Sequence, residues 1–264
     1  MKRLLLLLCG LVALRSGVAA DWREQLTSPE PGTFPPLRPL KATYGFGWGA
    51  IKAARAEFEF SQPGPSTNRL AVTAKSVGAV RALWRLDTQH VALCRADTLQ
   101  PMHFRQTEVY SDETLTTVVE FSPEEVARVR TSSKKDANEG KTKRFEMPNV
   151  LDLHSALLFV RSKPLRAGDS YRMVVYPSTN PFLAQVDVLG PRKVKVAGAM
   201  RDGIQLELKL RRINKKKELE PHQKFKRASA WISNDSDRLV LKIQADIFVG
   251  SVWTELEKVE FASR

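Results

Sequence analysis

Cysteine is scarce in this chain, which has two among its 264 residues, Cys9 and Cys94. Two such isolated cysteines exclude a disulfide-rich scaffold, and the paired Cys and His spacings of zinc sites are missing. Cys94 lies in an alternating apolar run, HVALC, with no activating base beside it in sequence, which favours a buried, inert thiol over a nucleophile. The four histidines have no partner at metal-ligand spacing: they are His90, His103, His154 and His222.

Long hydrophobic runs are also rare, and the one present covers residues 4–14. Lys2 and Arg3 precede it, and small residues lead to Ala20. This order predicts a secretory signal peptide at residues 1–20, cleaved near Ala20, and therefore a periplasmic or secreted protein. A membrane anchor is the alternative, but a run of about eleven residues is shorter than the ~20 that a spanning helix needs.

Negative charge is in deficit, since 42 Lys and Arg face 29 Asp and Glu and the formal net charge is +13. A cationic exported protein favours anionic partners such as a membrane surface or a cell-wall polymer, although solubility alone also explains the charge. Export and the lack of interleaved aromatics disfavour nucleic acid. The basic residues that would form such a surface are Lys215, Lys216, Lys217, Lys224, Lys226 and Arg227.

Helical periodicity occurs in one place, residues 149–176. Asp152 is the predicted N-cap, and Pro164 forbids continuation of the helix. Gly168 and Asp169 then form a turn before the next strand. The apolar positions recur at i, i+3, i+4 and i+7, as Leu153, Ala156, Leu157 and Val160. A helix this short is marginal alone, so we expect its apolar stripe to lie on the surrounding strands.

The remainder reads as alternating strands of roughly eight residues, typical of an antiparallel all-β fold. We predict a proline-rich N-terminal extension at residues 21–39, docked by Trp22 and Phe34, and a single β domain at residues 40–264. In its first strand, glycines at every second position predict close approach of a neighbour or sharp bending of the sheet, at Gly45, Gly47 and Gly49. The opposite face carries Tyr44, Phe46 and Trp48, and Gly250 marks the final turn.

Three segments together resemble a known family: TYGFGWGAIKAARAEF, DLHSALLFVRSKPLRAGDSYRMVVY and AWISNDSDRLVLKIQADIFVGSVWTEL. The pattern is similar to domain-of-unknown-function family 3108, a group of exported bacterial envelope proteins. The positions that match its helix motif are Asp152, Ser155, Ala156, Arg161, Pro164, Leu165, Gly168 and Asp169. The closing motif is matched by Trp231, Asp235, Leu239, Gly250 and Ser251. The resemblance implies a long, curved antiparallel sheet, a half-open barrel or β-roll, with one amphipathic helix on or near its concave face.

No residue pattern indicates catalysis, because Ser155 lies outside a G-x-S-x-G motif and its neighbour His154 points elsewhere on a helix. We therefore expect a non-enzymatic protein without cofactor or metal, and its oligomeric state stays open. For Arg161 an ion pair with Asp169 or Asp152 is favoured over a grip on an anionic head group.

The favoured function is a binding or carrier module for an apolar or lipid-like envelope ligand. Its expected lining residues are Tyr44, Phe46, Trp48, Leu157, Val160 and Arg161. The alternative is a structural or assembly protein that docks through the basic surface.

Overall fold

The structure is a computed structural model that describes residues 21–134, 140–221, 227–247 and 249–262. The predicted signal peptide at residues 1–20 lies outside the described residues, so export and cleavage stay predictions. Within the described part, no helix has the length and apolar content that crossing a bilayer requires.

The first half of the described chain is an antiparallel meander, which we call the N-terminal wing. Each strand pairs with the next along the chain. Its elements are β1 (Leu40–Trp48), β2 (Ile51–Gly64), β3 (Thr67–Ser76), α1 (Gly78–Leu83), β4 (Leu86–Arg95), β5 (Pro101–Tyr110), β6 (Thr114–Phe121), β7 (Glu125–Ser132) and β8 (Lys143–Glu146).

The second half begins with the main helix and continues as the C-terminal wing, strands β9 to β15. Its elements are α2 (Leu153–Ser162), β9 (Ser170–Val175), β10 (Phe182–Val196), β11 (Ala199–Ile213), β12 (Leu219–Pro221), β13 (Arg227–Ser233), β14 (Val240–Asp246) and β15 (Ser251–Phe261). A short 3₁₀ turn at Trp22–Gln25 precedes both wings.

The two wings are joined by antiparallel pairing of β1 with β15, from Leu40 opposite Phe261 to Trp48 opposite Val252. The sheet therefore runs β8-β7-β6-β5-β4-β3-β2-β1-β15-β14-β13-β11-β10-β9, with β12 on β11. Among the described strands no pair links β8 to β9, so the sheet is not closed into a barrel. This confirms the predicted mainly β, antiparallel and open architecture.

Alternation of side chains explains the strands. In β6, Leu115, Thr117 and Val119 are buried, while the residues between them are partly exposed. Because successive side chains of a strand point to opposite faces, this pattern buries one face of the wing and leaves the other in water. The same alternation is what predicts antiparallel strands from the sequence.

The C-terminal wing differs from the prediction in one long strand. Alternation in the sequence predicts two strands, at residues 184–189 and 192–199, but β10 runs through both. A register shift between Val188 and Gly190 accommodates the interruption, and Gly190 adopts a left-handed φ of 97°. The glycine-proline pair that predicts a turn therefore makes a bulge, which bends a strand without ending it.

The glycine prediction in β1 is correct at two of its three positions. A Cβ added to Gly47 would meet the Trp253 ring, and one added to Gly45 would meet the Glu257 carboxylate. Gly49 lies past the strand, in the β1–β2 turn, with a left-handed φ of 54°. Gly49 therefore provides the left-handed backbone conformation of the turn and makes no room for a neighbouring side chain.

Helix α2 begins as predicted but buries a different face. Asp152 caps it by accepting the N–H of Ser155 at 2.6 Å. The predicted apolar stripe is wrong at Leu153 and Leu157, which are 51% and 39% exposed. Phe159 is instead 2% exposed. The buried face of the helix also includes His154, Ser155, Ala156, Val160, Arg161 and Ser162.

Buried side chains connect the helix and the two wings. One apolar cluster joins Phe159 and Val160 of α2 to β9, β10, β11 and β13. A second joins Phe104 and Val119 of the N-terminal wing to Val174 of β9, and so fills the space between the outer parts of the two wings. Side-chain packing therefore connects the two wings where their outermost strands, β8 and β9, do not pair.

Candidate functional site

The first turn of α2 lies in a buried group of polar side chains, which we call the polar cluster: Asn68, Cys94, Asp152, His154 and Ser155. One carboxylate oxygen of Asp152 is used by the helix cap, while the other, Oδ2, has no hydrogen-bond partner in the described part of the chain. The Nδ1 atom of His154 is likewise without one. Buried polar groups normally find partners, so this is the least satisfied part of the described interior.

Burial sets the protonation of this cluster. It raises the pKa of Asp152 to about 6, although the N–H and hydroxyl of Ser155 oppose the shift. It lowers the pKa of His154 to about 4, and that of the neighbouring His90 to about 4 with a smaller contribution from His154. Both imidazoles are therefore neutral at pH 7, whereas the carboxylate is largely ionised.

Cys94 is also buried, as the sequence predicts. Burial, followed by the charge of Asp152, raises the pKa of its thiol to about 11, and hydrogen bonding from Ser155 and Asn68 offsets part of the effect. A thiol that holds its proton at pH 7 is a poor nucleophile and a poor metal ligand. Among the described residues, no three His, Cys, Asp or Glu side chains are grouped so as to hold a metal ion.

The last turn of α2 is held by a second group, which we call the carbonyl anchor, formed by Arg161 and Arg238. Arg161 donates to the carbonyl oxygens of Asp237 at 2.8 Å and of Pro35 at 2.5 Å. The predicted ion pair with Asp169 or Asp152 is therefore wrong. Arg161 is buried, and burial lowers the pKa of its guanidinium to about 10.

Arg238 completes the anchor from the turn between β13 and β14. It donates to the carbonyl oxygens of Arg161 at 3.0 Å and of Pro164 at 3.1 Å. The carbonyl of Arg161 belongs to the last turn of α2, where such groups have no partner within the helix. Its guanidinium lies 3.5 Å from the centre of the Phe34 ring. Sequence analysis missed Arg238, because nothing in its local sequence indicates a contact 75 residues away.

The N-terminal extension is docked at both predicted positions. Phe34 lies under the two guanidinium groups, and the Trp22 indole N–H donates to the Lys217 carbonyl at 3.1 Å. Gly32 approaches Ser162 so closely that a Cβ would overlap its carbonyl. The extension therefore covers the end of α2.

The motif residues of the helix-to-strand connection have structural partners. The Asp169 carboxylate accepts the backbone N–H of Arg166 and the hydroxyl of Tyr171, both at 2.9 Å. Gly168 has a left-handed φ of 93°. Gly250 makes the β14–β15 turn with a φ of 75°.

The six predicted lining residues divide into two groups. Tyr44, Val160 and Arg161 are buried, and the Tyr44 hydroxyl donates to the Val240 carbonyl at 2.9 Å. Phe46 is partly buried, whereas Leu157 and Trp48 are exposed. The two groups meet in one apolar cluster, where Tyr44 and Phe46 pack with Leu158 of α2.

The predicted basic surface is described only in part. Lys215 and Lys216 are exposed in the β11–β12 turn, and Lys217 is half-buried. The Asn214 side chain orders this turn by accepting the N–H groups of Lys216 and Glu218, each at 2.9 Å. Lys224, Lys226 and the side chain of Arg227 lie outside the described residues.

An open groove of about 310 Å³ crosses β15, β1, β2 and β3. Charged side chains dominate its lining, including Lys41, Glu57 and Glu260. A small concavity of about 20 Å³ lies beside α2, between Leu26 and Phe159.

This architecture defines a class, that of β-barrel-like antiparallel sheets. A solved β-barrel-like protein of domain of unknown function DUF1849 from Brucella abortus has a TM-score of 0.56 and 10% sequence identity, and the match covers 87% of this chain and 100% of that one. At that identity the likeness establishes the fold alone. The family follows from the sequence: residues 41–257 match "Protein of unknown function (DUF3108)", and the chain belongs to that family.

Two other solved structures are more distant. A candidate exported protein with a YmcC-like fold from Bacteroides fragilis has a TM-score of 0.37 at 11% identity, covering 87% of this chain and 99% of that one. A candidate lipoprotein from Parabacteroides distasonis has a TM-score of 0.34 at 8% identity, covering 88% and 99%. No significant match was found among curated proteins.

Proposed function

We propose that this protein is an exported, non-enzymatic binding module of the cell envelope, which holds an apolar or lipid-like ligand against α2 on the concave side of the sheet. The observation that carries the proposal is the exposure of Leu153 and Leu157 on a helix that is otherwise fixed by its surroundings. Residues at i and i+4 lie on one face, so the two leucines form one accessible apolar strip.

The strip continues onto β1. Leu158, the next residue after Leu157, packs in the same cluster as Phe46. Trp48 follows Phe46 on the same face of β1 and is exposed. We propose that a ligand on Leu153 and Leu157 extends along β1 over Phe46 and Trp48, because Leu158 and Phe46 pack against the same cluster.

The buried members of the predicted lining support this surface from below. Tyr44 and Val160 fill the clusters beneath the strip, and Arg161 fixes the last turn of α2 through carbonyl oxygens. The ligand would lie on this strip because its leucines are exposed, and a ligand held on an exposed surface can leave it, as a carrier requires.

Lipid extraction of the protein, purified after export, tests the proposal. We expect lipid to co-purify, and we expect the double variant L153Q/L157Q to retain several-fold less because it replaces two apolar contacts with amides. Leu189→Gln is the matched control, since Leu189 is also an exposed leucine but lies in the β10 bulge. Native mass spectrometry measures the bound fraction in each case.

Two results would contradict the carrier function. The first is wild-type protein free of lipid that also fails to bind a fluorescent fatty acid. The second is equal retention by L153Q/L157Q and the Leu189→Gln control.

A second candidate is docking of an envelope protein through the basic surface, favoured by the exposure of Lys215 and Lys216 in an ordered turn. Such contacts weaken with salt because counterions screen them. A pull-down at about 0.05 and 0.5 M salt separates this candidate from apolar binding, which salt does not weaken.

A further inference from the structure

Several connections lie together at one end of the sheet. In an antiparallel meander every second turn lies at the same end. The β1–β2 turn closes beyond Trp48 and Ile51, which are paired, and the β14–β15 turn closes next to it because Trp48 also pairs with Val252. The β3–β4 connection, which contains α1, lies there too, since the N–H of Val77 bonds to the carbonyl of Ala53 near the start of β2.

This end carries most of the exposed large apolar side chains. We call them the tryptophan rim: Trp48, Ile51, Leu83, Trp84 and Val249. Leu83, at the end of α1, is 90% exposed, and each of the others exposes about half of its surface or more. The other exposed large apolar residues among those described lie elsewhere: on α2, at Leu189 and at Met200.

The rim is held in place by specific contacts. The Trp48 indole N–H donates to the Val249 carbonyl, and the Trp253 indole N–H donates to the Gly49 carbonyl, each at 2.8 Å. Gly47 leaves the space that the Trp253 ring fills. These bonds tie the β1–β2 and β14–β15 turns to each other, so the apolar side chains project from a fixed edge.

The α1 part of the rim is fixed in the same way. Arg81 forms two hydrogen bonds with the Asp87 carboxylate, at 2.7 and 3.0 Å, which close the connection between β3 and β4. Trp84 lies against Tyr110, with 6.3 Å between ring centres. Leu83 is left exposed beside Trp84, and exposed apolar side chains that are grouped in this way, unlike single ones, indicate an interaction surface.

The charge around the rim identifies that partner. Lys52 and Arg85 flank the apolar side chains, but each is paired with a carboxylate, Lys52 with Glu257 and Arg85 with Asp87. The β11–β12 turn lies at the same end of the sheet. β11 pairs with β13, and the start of β13 pairs with the end of β14, which leads into the β14–β15 turn. The β11–β12 turn exposes Lys215 and Lys216. Apolar and indole side chains edged by cations match a bilayer surface, where tryptophan prefers the head-group region and cations attract anionic lipids.

We propose that the tryptophan rim docks the protein on an anionic lipid membrane, with Leu83, Trp84 and Trp48 inserted at head-group depth. The rim shares Trp48 with the ligand strip but none of the strip's residues on α2, and the docking does not require that the strip bind a ligand. If both hold, the strip ends at Trp48 beside the membrane, which brings a bound apolar ligand to the bilayer.

Vesicle co-sedimentation tests the docking. The protein is purified after export, and its intact mass verifies that residues 1–20 are absent, because that segment would bind lipid by itself. We expect binding to vesicles of phosphatidylcholine with phosphatidylglycerol and weaker binding to phosphatidylcholine alone. Bound protein should show a blue shift in tryptophan emission.

The rim variant L83Q/W84Q should bind the anionic vesicles roughly tenfold more weakly or worse, since it removes two inserting side chains. Met200→Gln is the control: Met200 is also exposed but lies by the β10–β11 turn at the opposite end of the sheet. Circular dichroism verifies that each variant is folded. L153Q/L157Q should bind vesicles like the wild type, so a failure of the ligand strip and a failure of the rim are distinguishable.

Three results would overturn the docking. One is wild-type protein that binds neither vesicle. Another is an equal loss in L83Q/W84Q and Met200→Gln. The third is binding that disappears in high salt and is unchanged by L83Q/W84Q, which would assign it to Lys215 and Lys216 alone.

Discussion

Asp152 and His154 are neighbours in the polar cluster, and burial shifts the pKa of each in the direction that favours its uncharged form. The pKa of the acid is raised to about 6 and that of the imidazole is lowered to about 4, because both lose water when they fold. His90, 6.4 Å from His154 between ring centres, is shifted in the same direction. The cap role of Asp152 was predictable since it is local, whereas the burial of His154 depends on a remote strand.

These shifts make stability depend on pH in a defined direction. A histidine whose folded pKa is about 4 must lose protons to fold, so its contribution is full above its unfolded value of 6.5 and declines as the pH falls toward 4. Asp152 acts oppositely, because its folded pKa is above 3.8 and its contribution declines as the pH rises from about 4 to 6. With two histidines against one acid, these groups make the protein more stable at pH 7 than at pH 4.5.

Urea unfolding at pH 4.5 and pH 7 measures that difference. His154→Phe should reduce the pH-dependent gain by roughly 2 kcal/mol, since it removes one of the protons that folding expels. Asp152→Asn keeps a capping side chain and removes the opposing titration, so its gain should exceed that of the wild type. An identical pH dependence in all three proteins would contradict these pKa shifts.

At the scale of elements, α2 shows where local pattern stops being sufficient. Its start at Asp152 and its end before Pro164 follow from the sequence, because caps and prolines act within a turn. The face that the helix buries does not follow from the local sequence. Residues 30–35 and Arg238 cover the last turn, so polar Ser162 and Arg161 are inside while Leu153 and Leu157 remain outside.

Truncation of the two faces should therefore have unequal effects. Phe159→Ala removes a fully buried ring and should lower the free energy of unfolding by roughly 3–5 kcal/mol. Leu157→Ala should cost less than about 1 kcal/mol, although Leu157 belongs to the stripe that periodicity selects. Denaturant unfolding of the two variants measures both losses. A larger loss of stability for Leu157→Ala than for Phe159→Ala would show that the predicted apolar stripe is the buried face.

Strand prediction from the sequence fails for short strands, again because the interactions that form them are not local. β8 spans four residues and β12 three, which is too little sequence for alternation to appear. They form because β7 and β11 supply an edge with free backbone groups. Their existence is a property of the neighbouring strand, so no local signal foretells them.

At the scale of the whole molecule, the pairing of β1 with β15 makes two meanders into one sheet. Alternation predicts each strand but not its partner, because pairing of residues about 200 positions apart leaves no trace in either strand. The openness between β8 and β9 was predicted through the family resemblance and not through periodicity.

Removal of residues 247–264 tests the importance of that pairing. The variant loses β15, exposes the edges of β1 and β14 together, and should fail to give a cooperative unfolding transition. A variant that begins at residue 36 is the comparison, since it loses the docked extension but keeps every strand pair. Cooperative thermal unfolding of the first variant would show that the wings are stable without their junction.

The position of β15 has a consequence for the order of assembly. A ribosome or a translocation channel delivers β1 about 200 residues before the 11 residues of β15, yet the two strands pair with each other. Until then the nascent N-terminal wing presents an unpaired edge, which is the kind of surface that draws partly made chains into aggregates. Completion of the sheet therefore waits for β15, and a chaperone that binds the unfolded chain would be of most use during that delay.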